Sequence, residues 1–567
     1  MPAKQLKFDN KARDALLRGT AQVSAAVRPT LGPRGRSVVI DRKYGSPQIT
    51  TDGATIVRDL ELPDHFENMG GQLLAEAARR ANDVAGDGTT TAALLAEAMV
   101  VDGVRNLAAG ASPVELKRGI EKATKLVLAD LDRQSRPLAG REDTTQVATI
   151  SSGSHEIGTM IADAMERVTS DGVITVEESS GIETEVKVVD GMQFDRGFVS
   201  AYLVTDQHGM EAVLDQPLIL VTPRKLSAIA DIVPAMELAV KAARPLLVIA
   251  EDIDGEALAT LVVNKVRGTV SACAVKAPGF GDRRIAMLQD LAVLTGAQVI
   301  SEELGLTMDG LMESQLGTAR RVVVTKDDTT VVEGGGSHQA IQDRVREIDQ
   351  QMELTESDWD REKLQERKAR LVGGVAVIKV GAPTETALKE RKERVQDALD
   401  ATRAAVAEGI LPGGGKSLLL AAAALGSAKG DGDEQTGIEI VRRALEIPVR
   451  QLAANAGLDG SVALERVQAM GPTGGLDVST LEYGDLLKAG IIDPTKVVKT
   501  SLQSAASVAA LLLTTQALVA DVPELAPAFP SGGGDDGMGD MGGMGGMGGM
   551  GGMGGMGGMG GMEDMDF

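Results

Sequence analysis

Apolar residues recur at helical spacing over 8–28 and 65–85, with long charged side chains between them, and predict two amphipathic helices. Between these, "TLGPRGRSVVID" (30–41) reads as a tight glycine–proline turn feeding a strand. "ITTDGATI" (49–56) puts Asp52 and Gly53 at a second turn. Helical patterning then dominates to residue 133. From 172 to 300, short apolar runs such as "GVITVEE", "PLILVTP" and "RPLLVIAEDI" alternate with helical segments, which is α/β patterning. The charged stretch 340–370 predicts a solvated helical hairpin, and "GGVAVIKVG" (373–381) a strand. Residues 384–408 are helical and charged again. "GILPGGGKSLLL" (409–420) is a glycine turn opening another helix, and helices run on to 520. After "FPSGGGDD" the chain becomes a Gly-Gly-Met repeat that carries too little side-chain volume to build a core. It reads as a flexible tail, either an inert tether or a source of soft methionine contacts.

Composition narrows the class. A chain of 567 residues, 43% hydrophobic and 25% charged, is globular and long enough for about three or four domains. A net charge of -23 argues against a general nucleic-acid or anionic-membrane surface, which needs clustered Lys and Arg. Only 2% of residues are aromatic, so the cores must be built from Ala, Val, Leu and Ile. The single cysteine, Cys273, allows no disulfide within the chain and suits a reducing compartment. The four histidines, His65, His155, His208 and His338, show no zinc-site spacing. The opening residues lack the apolar core of a secretory leader, and a cytoplasmic location is expected. The run nearest to a membrane span, "SVAALLLTTQALVA" (507–520), carries Ser, Thr and Gln and reads as a buried helix.

Two stretches carry candidate chemistry. In "VAGDGTTTAAL" (84–94) one acid, Asp87, stands between two glycines and before three threonines that open a helix. Free N–H groups at a helix N-terminus attract phosphate. A carboxylate beside phosphate needs a cation between them, so the stretch suggests a metal–phosphate site. A glycine turn with an Asp/Thr cap is the plainer alternative. In "DGEALATLVVNKVR" (254–267), apolar residues at 257–259, 261–263 and 266 cover almost the whole helix. Such a helix is either buried on two sides or leaves apolar surface exposed for interaction.

Seven motifs then occur in order: "TLGPRGR", "TTDGATI", "AGDGTTTAAL", "KAPGFGDRR", "KLQERKARLVGGVAVIKVG", "DALDATRAAVAEGILPGGG" and "IDPTKV". Together they closely resemble a group I chaperonin of the GroEL type, from near residue 1 to 523, and the Gly/Met tail matches as well. The "GDGTT" element alone is shared with group II chaperonins; "KAPGFGDRR" and the tail favour group I. The resemblance implies a multidomain α and α/β fold. A helical equatorial domain would combine 1–133 and 407–525, a small α/β intermediate domain 134–188 and 375–406, and an α/β apical domain 189–374, with 526–567 a disordered tail.

On matching positions, the resemblance implies an ATP site with Mg²⁺ and K⁺. Thr30, Leu31, Gly32 and Pro33 would form a phosphate-facing loop. Asp87 would be the Mg²⁺ ligand, with Gly88, Thr89, Thr90 and Thr91 around the phosphates. Asp397 would orient the attacking water, assisted by Asp52. Gly414 and Asp493 would lie at the ribose, and Asp477, Val478 and Ser479 at the base. Two positions depart from the family pattern. Thr51 stands where lysine is usual, which bears on K⁺. Asp477 stands where asparagine is usual, and a carboxylate cannot donate as an amide does.

The resemblance also implies an apical face for non-native polypeptides and a GroES-type co-chaperonin, formed by Phe198, Tyr202, Leu203, Val233, Met236, Leu258, Val262 and Val263. Arg196 and Glu385 match an apical–intermediate pair that breaks on domain movement. Fourteen subunits in two stacked seven-membered rings, without nucleic acid or membrane, complete the implied assembly. A rival reading is a chaperonin paralogue that acts as a binding or scaffold protein with weak cycling. A small-molecule kinase is disfavoured, because no Walker lysine motif or kinase set is present.

Overall fold

A computed structural model describes residues 3–41, 47–168, 173–179, 181–207, 209–355 and 357–522. The expected Gly/Met tail lies outside them. The chain divides into two compact units, Met1–Gln5 with Asp521–Phe567, and Leu6–Ala520. In the first, Lys4 Nζ pairs with Asp521 at 2.5 Å across two exposed side chains. The second carries everything that follows.

Helices from opposite ends of that unit share one large hydrophobic cluster. Asp9–Val27, His65–Ala85, Thr89–Ala108 and Pro113–Gln134 supply its early residues. Lys416–Ala424, Asp433–Ala444 and Thr495–Thr514 supply its late ones. With so few aromatics, small residues fill the cluster and the helices approach closely. A Cβ on Gly19 would sit 1.8 Å from the Glu67 carbonyl oxygen, and one on Gly119 2.1 Å from that of Glu434. By length and composition Thr495–Thr514 is apolar enough to cross a membrane. Two-thirds of its apolar window, 67%, is buried inside the fold, so packing accounts for its character.

The middle of the chain is α/β, as the alternating runs predict. Leu218–Val221, Leu246–Ala250 and Ala272–Lys276 pair in parallel. Gly317–Val324 continues the sheet antiparallel to Leu218–Val221, then Thr329–Gly334 and Gly191–Phe194 follow. All five residues of Leu246–Ala250 are buried, which explains why that strand reads as an unbroken apolar run. The charged stretch folds as two helices, His338–Leu354 and Asp358–Val372. It is docked rather than merely solvated. Asp290, 2% exposed, accepts hydrogen bonds from Arg344 Nε (2.7 Å) and from Arg367 Nε and Nη2 (2.7 and 2.9 Å). Arg283 stacks 3.8 Å from the ring centre of Trp359 at the start of the second helix.

The predicted strand at 373–381 is Val375–Val380, central in a three-stranded sheet between Val173–Glu178 and Glu185–Val189. Its Ala376 and Ile378 pack against Val395 and Leu399 of the long helix Glu385–Glu408. One buried fork joins this sheet to the larger one: Arg320 Nη1 and Nη2 donate to the two Glu177 carboxylate oxygens at 2.9 and 2.8 Å.

Gly19→Ala is expected to lower stability by about 2 kcal/mol through overpacking against a rigid backbone, read as the chemical denaturation midpoint. Asp290→Ala leaves two guanidinium groups in the interior without their acid and is expected to cost about 3 kcal/mol. Because Trp359 is the only tryptophan, its fluorescence should report that loosening before global unfolding.

Candidate functional site

The stretch around Asp87 is a junction between two helix ends. Gly86 ends His65–Ala85 with φ 70°, and Gly88 opens Thr89–Ala108 with φ 85°. Both values are left-handed, which glycine adopts without a Cβ clash. Any side chain there would also collide, with Asp400 Cβ at 2.2 Å from position 86 and with Ser501 Oγ at 2.3 Å from position 88. The turn holds the Asp87 carboxylate over the start of the next helix. The Gly88 N–H donates to its Oδ1 at 2.5 Å and Ser151 Oγ to its Oδ2 at 3.4 Å. No side chain caps Thr89–Ala108, so its first N–H groups stay available to an anion.

Three other segments converge on this junction. Asp52 caps Gly53–Asp59, accepting from the Ala54 and Thr55 N–H groups at 3.0 and 2.7 Å. A Cβ on Gly53 would lie 2.6 and 2.8 Å from the hydroxyls of Thr89 and Thr90, so the two turns are in close contact. Thr30 Oγ1 lies 3.2 Å from Thr90 Oγ1, and the Asn455 amide donates to the carbonyls of Arg28 and Leu31 at 3.0 and 2.9 Å, fixing the loop that includes Gly32 and Pro33. Glu385–Glu408 presents Glu393, Asp397 and Asp400 at spacings of four and three, hence on one face. Thr51 is exposed beside these groups in sequence, and Thr91 is half-buried.

The electrostatics follow from this crowding. Burial raises the Asp397 carboxyl well above the usual range, and Asp52, Asp87, Asp400 and Glu393 push it further. Asp87 is raised by burial and by Asp52 and Asp400. Every charge named as acting on these two carboxyls is negative. Among the described residues no three or more His, Cys, Asp or Glu side chains are placed to hold a metal by themselves. Hard carboxylate oxygens that repel one another beside an anion-accepting helix end fit Mg²⁺, which takes one or two protein carboxylates and fills its shell with phosphate and water.

The remaining residues approach along a short ladder. Ile410–Pro412 pairs antiparallel with Ile492–Pro494, placing Leu411 opposite Asp493. The Gly413 N–H donates to the Ile491 carbonyl at 3.0 Å. The glycine loop and Asp493 are thereby brought together. Burial, with the Asp87 charge, pushes Asp493 up to about 7. Gly414 faces the hairpin Gly474–Asp477 and Glu482–Asp485, with its would-be Cβ 3.8 Å from the Leu476 carbonyl oxygen.

At that hairpin Val478 is buried at 7% exposure in a small core with Leu419, Val449 and Leu476, which leaves its main chain as the part able to meet a base. Asp477 turns back on its own loop, accepting from the Ser479 N–H at 2.8 Å and the Thr480 hydroxyl at 2.9 Å. Arg34 Nη2 donates to the Ser479 carbonyl at 2.9 Å and ties this turn to the loop after Pro33.

The apolar residues expected to form the polypeptide-binding face divide between core and surface. Gly255–Val266 buries Ala257 and Leu261, four residues apart, and exposes Val263 at 44% and Val266 at 68%. Tyr202 is 72% exposed. Phe198, Val233, Leu258 and Val262 are half-buried. Leu203, fully buried, and Met236, at 8%, are corrected: both are core residues under the large sheet in this conformation. Arg196 and Glu385 are not brought together either. Glu385 pairs with Lys389 at 2.8 Å, while Arg196 lies beside Asp195 and 5.6 Å from the Phe280 ring centre.

A sequence model of the TCP-1/cpn60 chaperonin family matches residues 23–523. The chain belongs to the TCP-1/cpn60 chaperonin family. Membership carries a chaperone function in protein folding, and nucleotide binding with Mg²⁺, ATPase activity, polypeptide substrates and oligomeric rings are general to this family. This chaperonin's convergent loops had partners that sequence reasoning missed. Asp400 and Glu393 were signalled by their spacing from Asp397. Ser151 and Asn455 gave no local signal.

In the nucleotide-free chaperonin, a carboxyl raised in the folded state holds its proton more tightly than in the unfolded chain. Its stabilising effect is complete below the ordinary carboxyl range and lost as pH rises through about 7. Asp493→Asn is therefore expected to stabilise the nucleotide-free protein by about 1 kcal/mol at pH 8. Thermal midpoints of variant and wild type should diverge between about pH 4 and 7 and converge only below about pH 4; a constant gap would refute the titration.

Proposed function

We propose that this chaperonin is of group I and runs an ATP-driven cycle that captures non-native polypeptides and encloses them under a GroES-type co-chaperonin. The observation that carries the reading is the meeting of Asp52, Asp87 and Asp397 at an uncapped helix N-terminus, which is a phosphoryl-transfer constellation. The N–H groups and hydroxyls of Thr89 to Thr91 hold phosphate oxygens. Asp87 holds Mg²⁺, which when bound neutralises the phosphates and the facing acids. Asp397 orients the attacking water, and Asp52 steadies it. Asp493 and Gly414 hold the ribose, and the Thr51 main-chain carbonyl would hold K⁺.

Exposed Val263, Val266 and Tyr202 support a face that recognises apolar surface rather than sequence. The separate hydrophobic clusters of the helical ends, the large sheet and the small sheet support equatorial, apical and intermediate domains. Two stacked seven-membered rings and a cytoplasmic location belong to the same proposal. A second reading, a scaffold paralogue with weak cycling, is favoured by one observation: both Asp477 carboxylate oxygens are committed to their own turn.

The decisive experiment is steady-state ATP hydrolysis by the purified protein, with and without Mg²⁺, K⁺ and a GroES-type partner. Mg²⁺-dependent turnover that responds to the partner and falls at least ~100-fold in Asp397→Ala is expected. A well-formed ring without turnover would favour the scaffold.

A further inference from the structure

Lys416, the residue that follows the three glycines, turns its side chain inward. It is 2% exposed and is the first residue of Lys416–Ala424. A cation at that end opposes the dipole of its own helix, and burying an ammonium without a carboxylate is costly. The partners it finds are main-chain oxygens: Nζ donates to Val467 at 2.8 Å and to Met470 at 3.3 Å. Both lie at the C-terminal end of Gly460–Ala469, where the helix dipole favours a cation. Burial alone acts on the group and holds it below the ordinary lysine pKa.

The contact joins two pieces of the candidate nucleoside site. On one side, Lys416 immediately follows the glycine loop that carries Gly414. On the other, Met470 leads within a few residues into Gly474–Asp477 and the turn containing Ser479. Leu419, one turn beyond Lys416, shares a small core with Val467 and Leu476. That core could hold an apolar side chain at position 416 at no desolvation cost, so packing does not account for the ammonium.

We propose that Lys416 is a positioning residue for the nucleoside: its ammonium sets the separation between the glycine loop and the Asp477–Ser479 turn, so that both reach the sugar and base of one bound nucleotide. This rests on the nucleotide-binding reading above. The contact acts on the nucleoside end and leaves the phosphate end, built by Asp87 and Thr89 to Thr91, unchanged.

The test compares wild-type protein with Lys416→Met and with Lys416→Gln, which retains a neutral donor. The measurements are ATPase KM and kcat, calorimetric binding of ADP and of tripolyphosphate with Mg²⁺, and thermal midpoint. Lys416→Met is expected to raise the ATP KM and ADP Kd about fivefold, with kcat within about twofold. Tripolyphosphate affinity should not change, and the thermal midpoint should be equal or higher. Lys416→Gln should fall between the two, and it decides the matter if the methionine variant does not fold. Unchanged ADP affinity overturns the proposal. So does a parallel loss of ADP and tripolyphosphate affinity with a lower thermal midpoint, which marks a purely structural lysine. A wild-type chain that binds no ADP would overturn the parent reading instead.

Discussion

Repulsion between carboxylates is the constraint on which this site depends. Asp52, Asp87 and Asp397 come from three distant parts of the chain, and folding forces them into one another's field. Burial, reinforced by that repulsion, favours the protonated forms of Asp87 and Asp397 unless a cation joins them. A nucleotide with its metal answers both needs, supplying positive charge to the acids and negative charge to the uncapped helix. The folded chain thus holds an electrostatic debt that a metal–nucleotide complex can discharge, which gives ligand binding a large differential effect on the conformations that bring the acids together.

Holding the acids there is the task of close backbone packing. Glycines at 86 and 88 permit the left-handed turns and leave room for Asp400 and Ser501. Glycines at 19 and 119 let the helices of the large cluster touch backbone to backbone. These contacts leave little room for an extra methyl group, while Asn455, the Thr30–Thr90 contact and the close approach of Gly53 fix the loops at 30–33 and 52–53 against the start of Thr89–Ala108. The contrast with the proposed polypeptide-binding face would be physical: a site for one charged ligand needs rigid placement, whereas a face that accepts many apolar chains needs only exposed, adaptable surface.

Much of this was legible in the sequence because the signals are local. Periodicity placed the helical ends and the α/β middle, and "GDG" before three threonines signalled the left-handed turn and the uncapped helix start. Asp397 could not be separated from a surface acid by pattern alone, since its meaning comes from Asp52 and Asp87 across the fold; the family resemblance supplied it. Burial of Leu203 and Met236 was not legible, because an apolar residue reads the same on either side of a thin layer. The docking of the charged hairpin was hidden for the converse reason: Asp290 looks like any helical acid until Arg344 and Arg367 close on it.

The fork between Glu177 and Arg320 has a mechanical meaning. A single hydrogen bond acts as a swivel, passing tension but letting its ends rotate. Two parallel bonds between a carboxylate and a guanidinium have no such free axis, so they pass torque as well. Glu177 lies on a strand paired with Val375–Val380, which packs on the helix that bears Asp397. A rotation of the large sheet would therefore be passed through the strand pair to the helix that bears Asp397, and a turn of that helix would be passed back to the sheet.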